Sequence, residues 1–375
     1  MLLSSLRLKS LAQAKVFKEK TNMPVIYKEY FSNDEINLFT ICVFTSEQHT
    51  RLRLLIKYYE ALKLNVIVLD ASKKSLKTKV GKNIRYIHSP NLDLGSRLIL
   101  FGSLVQTKYI LLSPDDDYFL PHGLGKCLNF LEQNPEYSSV QGLRVTYTDD
   151  GQTIWRFSYT QQVGLDFSEE DAISRLKRMS VSMHYIYSIM QLKSYKAIVA
   201  CLQGTETSSV HAFPRVELVF NYTLAIFGPH KILSALFSAR LSHPLREDTK
   251  LATFGKWIDS RSRSSLRFRA NLTNFYIEHL GLPRPNAVSL ENLITNYHRK
   301  SSFCRTKKIQ AKIVDSNQVE ISKWKKLLIC GFKGLFISMR KVENINYVSK
   351  IVSESNLLIM LKDLSYLSRY LKRKK

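Results

Sequence analysis

Between Leu38 and Gln133 the sequence alternates short apolar runs rich in β-formers with longer stretches whose apolar residues recur at helical spacing. No other feature constrains the fold as strongly. Leu38 to Thr45 (LFTICVFT) reads as a buried strand, and residues 47–63 set Leu52, Leu55, Ile56, Tyr59 and Leu62 on one helical face. Asn65 to Leu69 predicts a second strand closed by Asp70-Ala71-Ser72, Ile84 to His88 a third, residues 95–106 a helix, and Tyr109 to Leu112 a fourth strand. That strand runs into Ser113-Pro114-Asp115-Asp116-Asp117-Tyr118, and Pro121 then opens a helix to about Gln133. Strands separated by helices predict an α/β fold with a mostly parallel sheet covered on both faces. In such sheets the ligand crevice lies beyond the carboxyl ends of the strands, where Asp70 and the aspartate triplet both fall.

The second half is less regular. Residues 139–148 and 153–160 are β-like, 168–179 helical, and His184 to Met190 mixed. Helices are expected through 191–202, 214–227 and 230–240, and beyond about 255 the chain turns basic and helical, with a break at Gly281-Leu282-Pro283-Arg284-Pro285. The expected organisation is an N-terminal helical extension (1–37), an α/β domain (38–250) divided near 147, and a basic helical C-terminal region (251–375).

With 45% hydrophobic residues the chain has ample material for a core, which excludes disorder, collagen and coiled coil. No apolar run approaches the ~18–20 residues of a membrane span. Five scattered cysteines form no C-x-x-C pair and no zinc spacing, as expected of reduced thiols in a cytoplasmic protein. The net charge of +25 calls for an anionic partner: nucleic acid, a phosphate-bearing substrate or an acidic membrane surface. From Lys323 to Lys375 there are 13 basic and 3 acidic residues.

Three adjacent carboxylates repel one another unless a cation or a donor sits among them. Mg²⁺ and Mn²⁺ bind through one or two carboxylates plus substrate phosphates, which suits departure of a nucleoside diphosphate. The alternative is a solvated acidic turn that caps the following helix.

Residues 39–147 resemble the nucleotide-binding half of GT-A-fold glycosyltransferases of the family 2 type, and a bacterial subgroup of sugar transferases in particular. The resemblance rests on FTICVFTSEQHTRLRLLIKYYEAL, VIVLDAS, YIHSPN, YILLSPDDDYFLP and SSVQG, and continues more weakly through HYIYSIMQLKSYKAI, RVELVF and HPLRED. It implies that Asp70 accepts hydrogen bonds from the donor base and that Thr45 and Glu47 line the nucleotide. It implies further that Asp115, Asp116 and Asp117 form the acidic motif, with Asp116 and Asp117 as the metal ligands, and that Arg97 faces the diphosphate. The bland alternatives are a strand-end cap for Asp70, a helix start for Glu47 and a solvated helix arginine for Arg97.

The resemblance also implies inverting transfer of a hexose-type sugar from a nucleotide-sugar donor to a glycan or lipid-linked glycan, as in surface polysaccharide synthesis. Such transfer needs a carboxylate base at the acceptor hydroxyl. Glu217, in an apolar helical setting, is the expected base, with His184, Glu206 and Asp171 behind it; a helix carboxylate paired with Arg215 is the alternative. The absence of a Q-x-x-R-W motif argues against a processive synthase.

Arg261, Arg263, Arg267 and Arg269 would hold phosphate groups or form a solvated helix face. Residues 323–341 have the composition of an interfacial helix on anionic lipid, or of a core helix with snorkelling lysines, so the expected protein is peripheral on the inner face of the membrane. Two rivals remain at this point. A metal-dependent nucleic-acid enzyme would suit the charge, but no helix-turn-helix, finger or RNP strand is evident, which disfavours it. A non-catalytic membrane-surface protein would require that the aspartates bind no metal.

Overall fold

The computed structural model describes residues 36–147, 155–158, 164–179, 185–203, 212–241, 257–258, 260, 262–286, 288–294 and 342–343. Near the C-terminus it describes 359–360, 363–364, 366–368 and 370–371. The N-terminal extension, His184, Glu206, Arg261 and the segment 323–341 lie outside the described residues.

The first half follows the predicted alternation: β1 (Phe39–Thr45), α1 (His49–Ala61), β2 (Val66–Asp70), β3 (Ile84–His88), α2 (Leu94–Leu104), β4 (Tyr109–Pro114), β5 (Asp117–Phe119), α3 (Pro121–Gln133) and β6 (Ser139–Tyr147). After it come β7 (Trp155–Ser158), β8 (Asp166–Phe167), α4 (Ala172–Met179), a 3₁₀ turn (Tyr185–Tyr187), β9 (Ile189–Gln191), α5 (Leu192–Gln203), α6 (Ala212–Phe227), β10 (His230–Leu241), α7 (Arg263–Leu280) and β11 (Val342–Glu343).

β1 lies between β2 and β4, both parallel to it, and β3 is parallel to β2. These strands read as continuous apolar runs because helices cover both faces. Phe39, Ile41, Cys42 and Val43 of β1 are buried together with Leu52, Leu55 and Tyr59 of α1. Each such side chain contributes about 1.5–3 kcal/mol. Beyond β4 the sheet is mixed: β9 runs antiparallel to β4 and β6, while β10 is parallel to β6 and antiparallel to β5 and β8.

Residues 230–240, expected to be helical, form the strand β10. Their apolar spacing (Ile232, Leu233, Leu236, Phe237) suits a helix, but the segment is bonded to β6, β5 and β8. Register shifts between Ile232 and Ser238 break the two-residue alternation from which a strand would have been read. Against β10 packs α3, closely enough that a Cβ on Gly123 would stand 2.2 Å from the Leu236 carbonyl oxygen. Only glycine fits there.

The helix α7 ends at Gly281 with φ 68°, a left-handed C-cap. Its Tyr276 hydroxyl meets Thr223 of α6 at 3.2 Å. Met360, Leu364 and Leu367 are buried in the same hydrophobic cluster as the strands. Residues on both sides of position 250 therefore share one core.

Candidate functional site

Three turns meet at the carboxyl ends of β1, β2 and β4. The register sets Thr45 beside Asp70 and Asp70 beside His88, with Phe44 beside Pro114. Parallel pairing thus brings three sequence-distant turns to one rim.

At the β2 end Asp70 is fully buried. Its Oδ1 accepts from the Ser72 amide at 2.8 Å, and its Oδ2 accepts from the Tyr86 hydroxyl at 2.6 Å and meets His49 Nε2 at 3.1 Å. Burial pushes the carboxyl up, but these hydrogen bonds outweigh it and hold the group below its ordinary value. Asp70 is therefore a fixed, ionised acceptor. That His49 and Tyr86 are its partners was not legible from sequence, since the contacts depend on how the turns and strands are placed beside one another.

Glu47 is exposed and adopts φ 59°, a left-handed conformation uncommon for a residue with a side chain. Its amide donates to Ser72 Oγ at 2.7 Å and its carboxylate accepts from the Lys73 amide at 2.7 Å. Glu47 thus ties the β1 turn to the β2 turn. Backbone held in this region costs of order 1–3 kcal/mol and clusters at ligand sites.

Arg97, from α2, lies buried beneath the rim. Its Nη1 donates to the carbonyls of Thr45 at 3.0 Å and Leu69 at 3.4 Å. The guanidinium ties the ends of β1 and β2 together through backbone oxygens.

The acidic turn divides its three carboxylates. Asp115 Oδ2 accepts from the Thr45 hydroxyl at 2.6 Å. Burial pushes the Asp115 carboxyl up to about 6; the Thr45 bond opposes this, the neighbouring Asp116 adds to it, and Arg51 in the first turn of α1 opposes it. Asp117 is fully buried on β5, paired in register with Arg240 of β10, whose Nε lies 3.9 Å from Asp117 Oδ1. Arg240 was hidden from sequence reasoning because its strand looked helical.

Among the described residues no group of three or more His, Cys, Asp and Glu side chains gathers as a metal site. Mg²⁺ and Mn²⁺ need only one or two carboxylates when substrate phosphates complete the shell. Asp115 and Asp116, which repel each other at the rim, fit that donor set; Asp117 faces Arg240.

Glu217 is buried on α6. Together with Arg240, Asp117 and Arg144 it belongs to the charges acting on the Tyr187 hydroxyl. Its neighbour Arg215 stacks over the Trp257 ring at 3.9 Å. Asp171 is elsewhere employed: it accepts from the Ser174 amide at 2.8 Å at the start of α4, which holds its carboxyl low.

Arg263 and Arg267 lie on α7, as does the buried Arg269. No helix among the described residues is long and apolar enough to cross a membrane.

Residues 53–192 match the family model described as glycosyl transferase family 2, from within α1 through the acidic turn to the end of β9. No curated protein matches the chain. Among solved structures, S. aureus TarS 1-349 is 12% identical with a TM-score of 0.45, over 73% of this chain and 76% of that one. The complex of TarS 1-349 with UDP-GlcNAc is 13% identical with a TM-score of 0.38, over 67% and 75%. Likenesses of that order fix no residue correspondence. The match to the family model spans a little over a third of the sequence and includes Asp70, Arg97 and all three aspartates, so it is this segment that is similar to glycosyl transferase family 2.

Proposed function

We propose that this protein transfers a sugar from a nucleoside diphosphate donor to a hydroxyl of a glycan or lipid-linked glycan. The observation that carries the reading is the convergence of Asp70, Thr45 and Asp115 at the ends of three adjacent parallel strands, with Thr45 bonded to Asp115. In open α/β sheets that rim is where nucleotides bind.

In this reading the ionised Asp70 accepts from the donor base. The Glu47–Ser72 clamp shapes the wall of the crevice, and Arg97 keeps its floor rigid. Asp115 and Asp116 would hold Mg²⁺ or Mn²⁺, which when bound neutralises charge on the departing diphosphate. Glu217 serves as the base, taking the proton of the acceptor hydroxyl as the sugar is displaced from the opposite side, which makes the transfer inverting. The basic segment 323–375 is proposed to meet an anionic membrane surface from the cytoplasmic side, near a lipid-linked acceptor.

Calorimetric titration with UDP, GDP and CDP, with and without Mn²⁺, tests this. Metal-dependent binding of one nucleotide, lost in Asp115→Asn and Asp116→Asn, is the expected result. No nucleotide binding by the folded protein under any condition removes the transferase reading.

A further inference from the structure

Two arginines near Asp117 share one aromatic ring. Arg144 of β6 sets its guanidinium carbon 5.2 Å from the centre of the Tyr187 ring, and that of Arg240 of β10 lies 5.9 Å from it. Asp117 is the carboxylate in register with Arg240, and Glu217 completes the charged lining around Tyr187. The two cations differ in one respect. Arg240 has Asp117 across the ladder, whereas Arg144, only 9% exposed, has no carboxylate partner among the described residues.

A guanidinium with so little exposure gives up part of its hydration. A tyrosine face returns only some of that. A bound anion would supply the rest. A guanidinium fork matches two oxygens of one phosphate, and it is the side chain best suited to hold such a group in a partly dry recess.

We infer that Arg144, with Arg240 across the Tyr187 ring, forms a binding recess for a phosphate group of a substrate. Glu217 is among the charges acting on Tyr187, so on the transferase reading the phosphate belongs to the acceptor, and its capture sets the acceptor hydroxyl against the base. The donor diphosphate is the other source of the same chemistry. Either way a phosphate-bearing ligand meets the excess charge of Arg144.

The probe is inorganic phosphate, followed by ³¹P line width at constant ionic strength. It is applied to the full chain and to Arg144→Gln, Arg144→Lys and Arg85→Gln, the last an exposed cation of β3 that serves as a charge control. Expected is saturable binding that weakens about tenfold or more in Arg144→Gln and about threefold in Arg144→Lys, with Arg85→Gln unchanged. Equal weakening in Arg144→Gln and Arg85→Gln would mean diffuse attraction to a basic protein and overturns the inference. So does wild-type binding by Arg144→Gln, by a folded Arg144→Lys where Arg144→Gln fails to fold, or the absence of saturation.

Repeating the titration with saturating UDP and Mn²⁺ separates the sources. Phosphate that still binds marks an acceptor site, and phosphate displaced by UDP marks the donor diphosphate. If UDP does not bind at all, the transferase reading fails while the phosphate titration still decides the role of Arg144.

Discussion

The Thr45 hydroxyl donates to Asp115 Oδ2 at 2.6 Å across 70 residues of sequence, closing the gap between the ends of β1 and β4. The bond lowers the pKa of a carboxyl that burial and Asp116 both raise, so it decides how much of Asp115 is ionised near neutrality. Thr45→Val, which keeps the shape and removes the donor, is expected to push the Asp115 carboxyl further up from about 6. Titration of the Asp115 carboxyl carbon by NMR reads the shift directly. An unchanged titration would show that the bond carries no electrostatic weight.

On the proposed reading the same carboxyl gives the Mn²⁺ affinity a pH dependence of definite sign. Only the ionised form is a ligand, so Mn²⁺ affinity should be level above pH 6 and fall by up to about tenfold per unit below it. Thr45, Asp116 and Arg51 are the groups acting on Asp115, and Arg51 remains cationic throughout this range. In Asp115→Asn the affinity should be weak and this dependence lost. A wild-type profile level down to pH 4 would place the ligands elsewhere.

Asp70 behaves in the opposite sense. Its folded pKa lies below the ordinary aspartate value, so the ionised carboxylate stabilises the fold above that value, and the contribution fades as pH falls through the folded pKa. Tyr86→Phe removes the 2.6 Å bond and should cost about 1–2 kcal/mol at pH 7. Urea denaturation at pH 7 and at pH 3 measures both; the difference between variant and wild type should shrink at the lower pH.

The parallel half of the fold was legible in the sequence because its local signals agree with the tertiary structure. β3 occupies Ile84–His88 as expected, and α3 begins at Pro121 and ends at Gln133. Asp70 and the triplet stood out by position, since strand ends are where such sheets bind ligands, and the structure sets them at the ends of β2 and β4. What the sequence could not supply were cross-strand relationships. Tyr86 reaches Asp70 only because β3 lies beside β2, and Arg240 meets Asp117 only once β10 is seen as a strand. That strand was misread because apolar spacing at three and four residues reflects tertiary burial as readily as a helix face.

The C-terminal residues offer the sharpest test of how the molecule is assembled. Tyr370 donates to the Leu54 carbonyl of α1 at 2.8 Å, and its ring lies 5.5 Å from that of Tyr58 and 6.5 Å from that of Tyr118, the residue after Asp117. Leu364 is fully buried in the common core. Leu364→Ala leaves a cavity in the common core and should cost about 2–5 kcal/mol. Tyr370→Phe loses one hydrogen bond and should cost about 1 kcal/mol. Since the segment shares a core with β1 to β5, both variants should melt in one cooperative step at a lower temperature. A first transition that releases only the C-terminal region, leaving residues 38–250 to melt at the wild-type temperature, would show that the region folds as a separate unit and would remove it from any part in holding the acidic turn.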